Sequence, residues 1–142
     1  MKVSVAYYSE TGNTQELADM LTAALQTEGA EVYETAVSDV DSSEFLDSDL
    51  LVFATPATGT EEIDQIEMQA FIDDIASQLS GRKVFLCGTF GWGDGEYMQA
   101  WQEAMADLGC QFAHEPFTCL ESPDDEAEDK LAEIAKELFR SI

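Results

Sequence analysis

The chain has 142 residues, 45% of them apolar, and sets six Lys and Arg against 30 Asp and Glu for a formal net charge of −24. That length suits one domain with one good core, and that charge argues against nucleic acid or anionic membrane as a partner. No apolar run approaches the roughly 20 residues a membrane-spanning helix needs.

An acidic surface serving solubility alone is the plainer account of the same composition. The N-terminus enters a strand directly, without a charged region followed by an apolar one, so no signal peptide is expected. Cys87, Cys110 and Cys119 are an odd set without metal-like spacing. They read as reduced thiols of a cytoplasmic protein.

In chain order, Lys2-Val3-Ser4-Val5-Ala6-Tyr7 alternates and is rich in β-branched residues, which predicts a strand. Ser9-Glu10-Thr11-Gly12-Asn13-Thr14 then forms a hydroxyl-rich turn. Leu17, Met20, Leu21, Ala24 and Leu25 follow helical spacing, giving a helix from about Thr14 to Thr27 with Gly29 at its C′ position. Taken alone, the turn has two readings. Asn13 or Thr14 can be an ordinary N-cap, or the turn can aim its N–H and hydroxyl groups at an anion in front of the helix.

Glu31-Val32-Tyr33-Glu34-Thr35 alternates as an exposed edge strand, and an acidic stretch follows with a short helix near Ser42–Leu46. Leu50-Leu51-Val52-Phe53-Ala54 is the continuous apolar run of a central parallel strand. The loop Thr55-Pro56-Ala57-Thr58-Gly59-Thr60-Glu61-Glu62 leads to a helix marked by Met68, Phe71, Ile72, Ile75 and Leu79 and ended by Ser80-Gly81. Val84-Phe85-Leu86-Cys87-Gly88 is the fourth strand, and Thr89-Phe90-Gly91-Trp92-Gly93-Asp94-Gly95 the third loop. Tyr97, Met98, Trp101, Met105 and Leu108 mark the next helix, and Phe112 to Leu120 holds the fifth strand. Ser122-Pro123-Asp124-Asp125 opens the last helix, whose apolar face is Leu131, Ile134, Ala135, Leu138 and Phe139.

Five strands alternating with helices predict a parallel sheet covered on both faces. Ligands of such sheets sit beyond the carboxyl ends of the strands, where the loops 9–14, 55–62 and 89–95 all emerge. No Lys or Arg lies between Lys2 and Arg82 or between Lys83 and Lys130. A phosphate at that edge must therefore be held by neutral hydroxyls, N–H groups and the helix dipole.

Three function classes fall away on missing motifs. A phosphoacceptor receiver needs acids after the first strand and an Asp ending the third, where this chain has Tyr7-Tyr8-Ser9 and Ala54-Thr55. A nucleotide hydrolase needs a loop Lys, and a dinucleotide dehydrogenase needs Gly-x-Gly-x-x-Gly after the first strand. The single histidine, His114, lies off the loop edge and reads as a surface residue rather than a general base.

Ser9-Glu10-Thr11-Gly12-Asn13-Thr14 resembles the phosphate-binding loop of flavodoxins. Gly91-Trp92-Gly93-Asp94-Gly95 resembles a flavin-flanking loop of the short-chain, clostridial-type members. The resemblance runs over the whole chain. It implies an α/β, flavodoxin-like, doubly wound five-stranded parallel sheet of order 2-1-3-4-5 with helices on both faces, as one domain over residues 1–142. It implies non-covalently bound FMN, contacted by Ser9, Glu10, Thr11, Gly12, Asn13 and Thr14, by Thr55, Pro56, Ala57, Thr58, Gly59, Thr60 and Glu61, and by Thr89, Phe90, Gly91 and Trp92.

Carried over residue by residue, Trp92 stacks on the isoalloxazine and Glu61 bonds the flavin N3–H. Gly59 flips its peptide to offer a carbonyl to the N5–H of the semiquinone, a change that glycine makes at little cost. Thr58 stands where relatives often carry a large apolar residue, Thr60 where Asp, Asn or Ser is common, and Glu10 puts a carboxylate inside the phosphate loop.

The function implied is that of a low-potential one-electron carrier, not an enzyme. Its partners would be redox proteins with basic docking patches, bound transiently by a monomer. Acidity fits the low potential. A charge about 8 Å away at an effective dielectric of about 20 opposes added negative charge by about 2 kcal/mol before screening, under about 90 mV for one electron. The alternatives are an FMN-dependent NAD(P)H or quinone reductase of the same fold, and an acidic regulatory module without FMN.

Overall fold

The structure is a computed structural model that describes residues 1–57, 63–91 and 95–141. Its sheet is built from β1 (Lys2–Tyr7), β2 (Glu31–Ala36), β3 (Leu50–Ala54), β4 (Lys83–Phe90), β5 (Gln111–Phe112) and β6 (Phe117–Leu120). The order is β2-β1-β3-β4-β5, with β6 also on β4, and every recorded pairing is parallel. The predicted doubly wound sheet is thus observed, with β2 at its edge.

All five residues of β3 are buried, as a strand covered on both faces requires. On one face, Leu17, Leu21 and Leu25 of α1 (Asn13–Thr27) and Leu131, Ala135 and Leu138 of α5 (Asp125–Arg140) pack on Val3, Val5, Val52 and Phe85. On the other lie α2 (Ser42–Leu46), α3 (Met68–Ile75) and α4 (Tyr97–Asp107), over Leu51, Phe53 and Leu86. There Phe45 meets Phe53 and Phe71 at ring-centroid distances of 5.3 and 5.1 Å. Such tilted and edge-on contacts, each contributing about 1 kcal/mol beyond area burial, fasten α2 and α3 to β3.

Three local expectations are corrected. The fifth strand is two segments, not one run. From Phe112 to Phe117 the chain advances five residues while its partners on β4 advance three, from Val84 to Cys87. Pro116 in that interruption has no N–H to give to a ladder. The helix over Met68 to Leu79 stops at Ile75 and continues as a 3₁₀ turn, Ala76–Gln78. The N-cap of α1 is Gly12, not Asn13 or Thr14.

Three of the six cations lie at one edge, and the other three are on α5. Lys2 Nζ lies 3.6 Å from Asp47 at the start of β1. At the start of β4, Arg82 donates to the carbonyls of Leu46 and Ser48 at 2.6 and 2.8 Å. Lys83 donates to the carbonyl of Ser141, past the end of α5. These are the amino ends of the strands, opposite the edge from which the three loops leave.

Candidate functional site

Tyr8, Thr55 and Thr89 stand at the carboxyl ends of β1, β3 and β4, and a lattice of short bonds holds them in register. Tyr8 N–H donates to the Ala54 carbonyl at 2.9 Å, Thr55 N–H to Cys87 at 3.2 Å and Ala57 N–H to Thr89 at 2.9 Å. The Thr14 and Thr89 hydroxyls meet at 2.9 Å, both buried, so the start of α1 is tied to the end of β4. Thr55 Oγ1 accepts from Asp64 N–H at 3.4 Å, and Asp64 Oδ2 accepts from the N–H groups of Glu67 and Met68 at 2.6 and 2.9 Å. The second loop therefore leaves and returns at one fixed point.

Gly12 gives the first loop its shape. Its φ of 95° is left-handed, where a side chain would be strained. Its N–H donates to Ser9 Oγ at 3.0 Å, and its carbonyl accepts from Glu16 N–H at 2.9 Å. Gly12 has no side chain to cap the helix, and no side-chain cap bond is made. The first N–H groups of α1 are thus left for an external acceptor, at the positive end of the helix dipole.

In front of them is a pocket of about 210 Å³, lined by Glu10, Thr11, Asn13 and Thr14 of the first loop, Pro56 and Ala57 of the second, and Thr89, Phe90 and Gly91 of the third. Its described lining contains no Lys or Arg, as the cation spacing required. Nine of the expected contact residues thus converge on one space. Ser9 instead shapes the loop through Gly12 and borders a separate hollow of about 150 Å³ with Tyr7 and Tyr8. Thr55 is fully buried beneath the site. Thr58, Gly59, Thr60, Glu61 and Trp92 lie outside the described residues.

Glu121 also lines the pocket and was not anticipated. It holds a left-handed φ of 57°, and its N–H donates to the Phe90 carbonyl at 2.8 Å. Nothing in Leu120-Glu121-Ser122 carries the Gly or Asn that usually marks such a position. Tyr8 Oη donates to Glu10, another of the lining residues, at 3.1 Å. Burial, then that bond, pushes the Tyr8 hydroxyl up to about 12, so it remains a neutral donor. Two larger hollows, of about 600 Å³ between α1 and α5 and about 530 Å³ between β6 and α5, include no residue of the three loops.

The donor set fits a phosphate monoester. Hydroxyls and the Asn13 amide line the space ahead of α1, and Phe90 adds apolar surface to it. The carboxylates of Glu10 and Glu121 would oppose an anion there, which hydrogen bonds rather than ion pairs would have to hold.

A family model described as Flavodoxin matches residues 5–135. A flavodoxin of Clostridium beijerinckii is 35% identical over 136 residues, covering 96% of this chain and 98% of the relative. A flavodoxin of Megasphaera elsdenii is 36% identical over 107 residues, covering 75% of this chain and 78% of its own. The solution structure of the two-electron reduced Megasphaera elsdenii flavodoxin superposes with a TM-score of 0.83 at 33% identity, over 94% of this chain and 98% of that one.

Proposed function

The chain belongs to the flavodoxin family, and we propose that it holds its cofactor where the loops 9–14, 55–62 and 89–95 meet. As a member it binds FMN and carries electrons between redox proteins without turning over a substrate. Bound FMN supplies the reversible one-electron chemistry, and the protein supplies its binding and electrostatics.

The observation that carries the site assignment is the uncapped start of α1, opening on a pocket lined by all three loops. The first-turn N–H groups, with the hydroxyls of Thr11 and Thr14 and the Asn13 amide, take the phosphate. Thr89 and Thr14 brace each other, so neither hydroxyl is free to swing away. Pro56, Ala57, Phe90 and Gly91 border the group beyond the phosphate, and Thr58, Gly59, Thr60, Glu61 and Trp92 carry the ring contacts that the family resemblance assigns. Ser9 and Thr55 act from beneath, through the Gly12 and Asp64 amides.

Glu10 and Glu121 raise the free energy of any state that places more negative charge in the site, which keeps the protein a low-potential donor. The net charge of −24 and the absence of Lys and Arg from the described pocket lining favour transient complexes with partners that present basic patches. The protein acts as one domain over residues 1–142, as a monomer, in the cytoplasm.

Titration of the apoprotein with FMN, read by quenching of flavin fluorescence, tests the site. Thr14→Val should weaken FMN binding at least tenfold, since a buried hydroxyl contact is lost and Thr89 is left unpaired. Riboflavin, which lacks the phosphate, should lose far less. Equal losses for the two ligands would move the phosphate away from α1, and failure of the unaltered apoprotein to bind FMN would overturn the site.

A further inference from the structure

Tyr97, the first residue of α4, lies 2% exposed beneath the loop edge. Its hydroxyl donates to the Thr55 carbonyl at 2.9 Å, with the Thr89 carbonyl a second acceptor at 3.2 Å. Thr55 is where the second loop leaves β3, Thr89 is where the third loop begins, and Tyr97 is where the chain enters α4 beyond that loop. One hydroxyl therefore touches the departure of both loops and the return of one.

The backbone makes room for it. A Cβ at Gly88 would fall 2.0 Å from the Thr55 carbonyl oxygen and 2.2 Å from Tyr97 Oη. Both are far inside any tolerated contact, so only glycine lets β4, the Thr55 carbonyl and the Tyr97 hydroxyl come together. Tyr97, Gly88, Thr55 and Thr89 form a fastener within the protein rather than part of the pocket wall.

We propose that the Tyr97 hydroxyl is a positioning group that sets the spacing of the second and third loops, and hence the grip on the flavin ring between them. This rests on the site assignment above. The phosphate end is held by the first loop, whose Thr14 meets the Thr89 hydroxyl, whereas the fastener uses only the Thr89 carbonyl. The fastener should therefore act on the ring and not on the phosphate.

Tyr97→Phe keeps the buried ring and removes only the hydroxyl. In apoprotein titrations it should weaken FMN and riboflavin by the same factor, about tenfold, because loops no longer held at the ring's spacing must be ordered on binding. In the flavin-free protein the Ala57 amide, bonded to the shared Thr89 carbonyl, should exchange with solvent faster, while the Glu16 amide of the first loop should not. Gly88→Ala attacks the same point from the other side. If it folds, it should give the same matched losses, and the two substitutions together should lose less than the sum of each.

Unchanged affinity for both ligands in Tyr97→Phe, or a loss for FMN alone, would overturn the proposal. So would an Ala57 exchange rate equal to that of the unaltered protein. If the unaltered apoprotein bound no FMN, the site assignment itself would fail, a result distinct from a silent Tyr97→Phe.

Discussion

Glu34 offers a stability change that depends on pH in a direction opposite to that of most carboxylates. It stands half-buried on the edge strand β2, near Asp19 of α1 and Tyr7 of β1. Its Oε2 is shut off from solvent, and the Asp19 carboxylate and the Thr22 hydroxyl are its polar neighbours, the first favouring the protonated acid and the second the carboxylate. Burial first, and then the Asp19 carboxylate, push the Glu34 carboxyl from 4.5 up to about 8. Between those values the folded protein holds a proton that the unfolded chain has released. Stability contributed by this proton is complete below the unfolded value and is lost as pH rises toward the folded one.

The span from 4.5 to about 8 is worth about 5 kcal/mol for a sealed group. Glu34 is partly open to water, and solvent screening reduces this to about 1–2 kcal/mol. Glu34→Gln keeps the shape and the donor of the protonated acid and cannot ionise. Urea unfolding of both proteins from pH 5 to pH 9 isolates the contribution, because every other group cancels in the difference. The two should be nearly equal at pH 5, and Gln should be the more stable by about 1–2 kcal/mol at pH 9. A difference that does not change with pH, or one that favours Glu at pH 9, would refute the reasoning.

Gly12→Ala places a Cβ in open space at a φ of 95°, so its cost is conformational strain alone, about 1–2 kcal/mol by urea unfolding. A much larger loss would mean a clash that the open space does not allow. Added salt should raise both the thermal midpoint and the affinity for FMN, because a chain of charge −24 repels itself and a phosphate dianion. Calorimetry and flavin titration in 0.01 and 0.5 M KCl measure the two, and weaker FMN binding at high salt would contradict an anion held without cations. Cys119 is the most open of the three thiols, but burial, then Asp124 and Glu16, push it up to about 11. At neutral pH the native protein should alkylate there about a hundredfold more slowly than a free thiol. Rapid labelling of Cys119 would refute this.

Much of the architecture was legible because burial writes a pattern. The unbroken apolar β3 and the spacing of Leu17, Leu21 and Leu25 admit few other placements. The first loop was legible as a turn ahead of a helix, but its cap was not. Asn13 and Thr14 are the better caps by composition, and Gly12 takes the position because a left-handed φ is needed there. The split of the fifth strand was hidden because an apolar and polar mixture from Phe112 to Leu120 reads the same with or without a two-residue bulge. Glu121 was invisible for a related reason. Its conformation is set by its bond to Phe90, thirty-one residues earlier in the chain, and not by its own side chain. The Tyr97 fastener is likewise a tertiary fact, since helical spacing marks Tyr97 only as core.

The gathering of Lys2, Arg82 and Lys83 at the amino ends of the strands has a consequence for how the molecule travels. Three cations held there, and none in the described lining of the loop-edge pocket, give the protein a heading as well as a net sign. Near a positively charged surface it feels a torque that swings the loop edge forward and the lysine edge away. Rotation then precedes collision, and fewer encounters arrive backwards. Moving a single lysine from one edge to the other would leave the net charge at −24 and still weaken that torque, because the molecule would have lost its compass rather than its attraction.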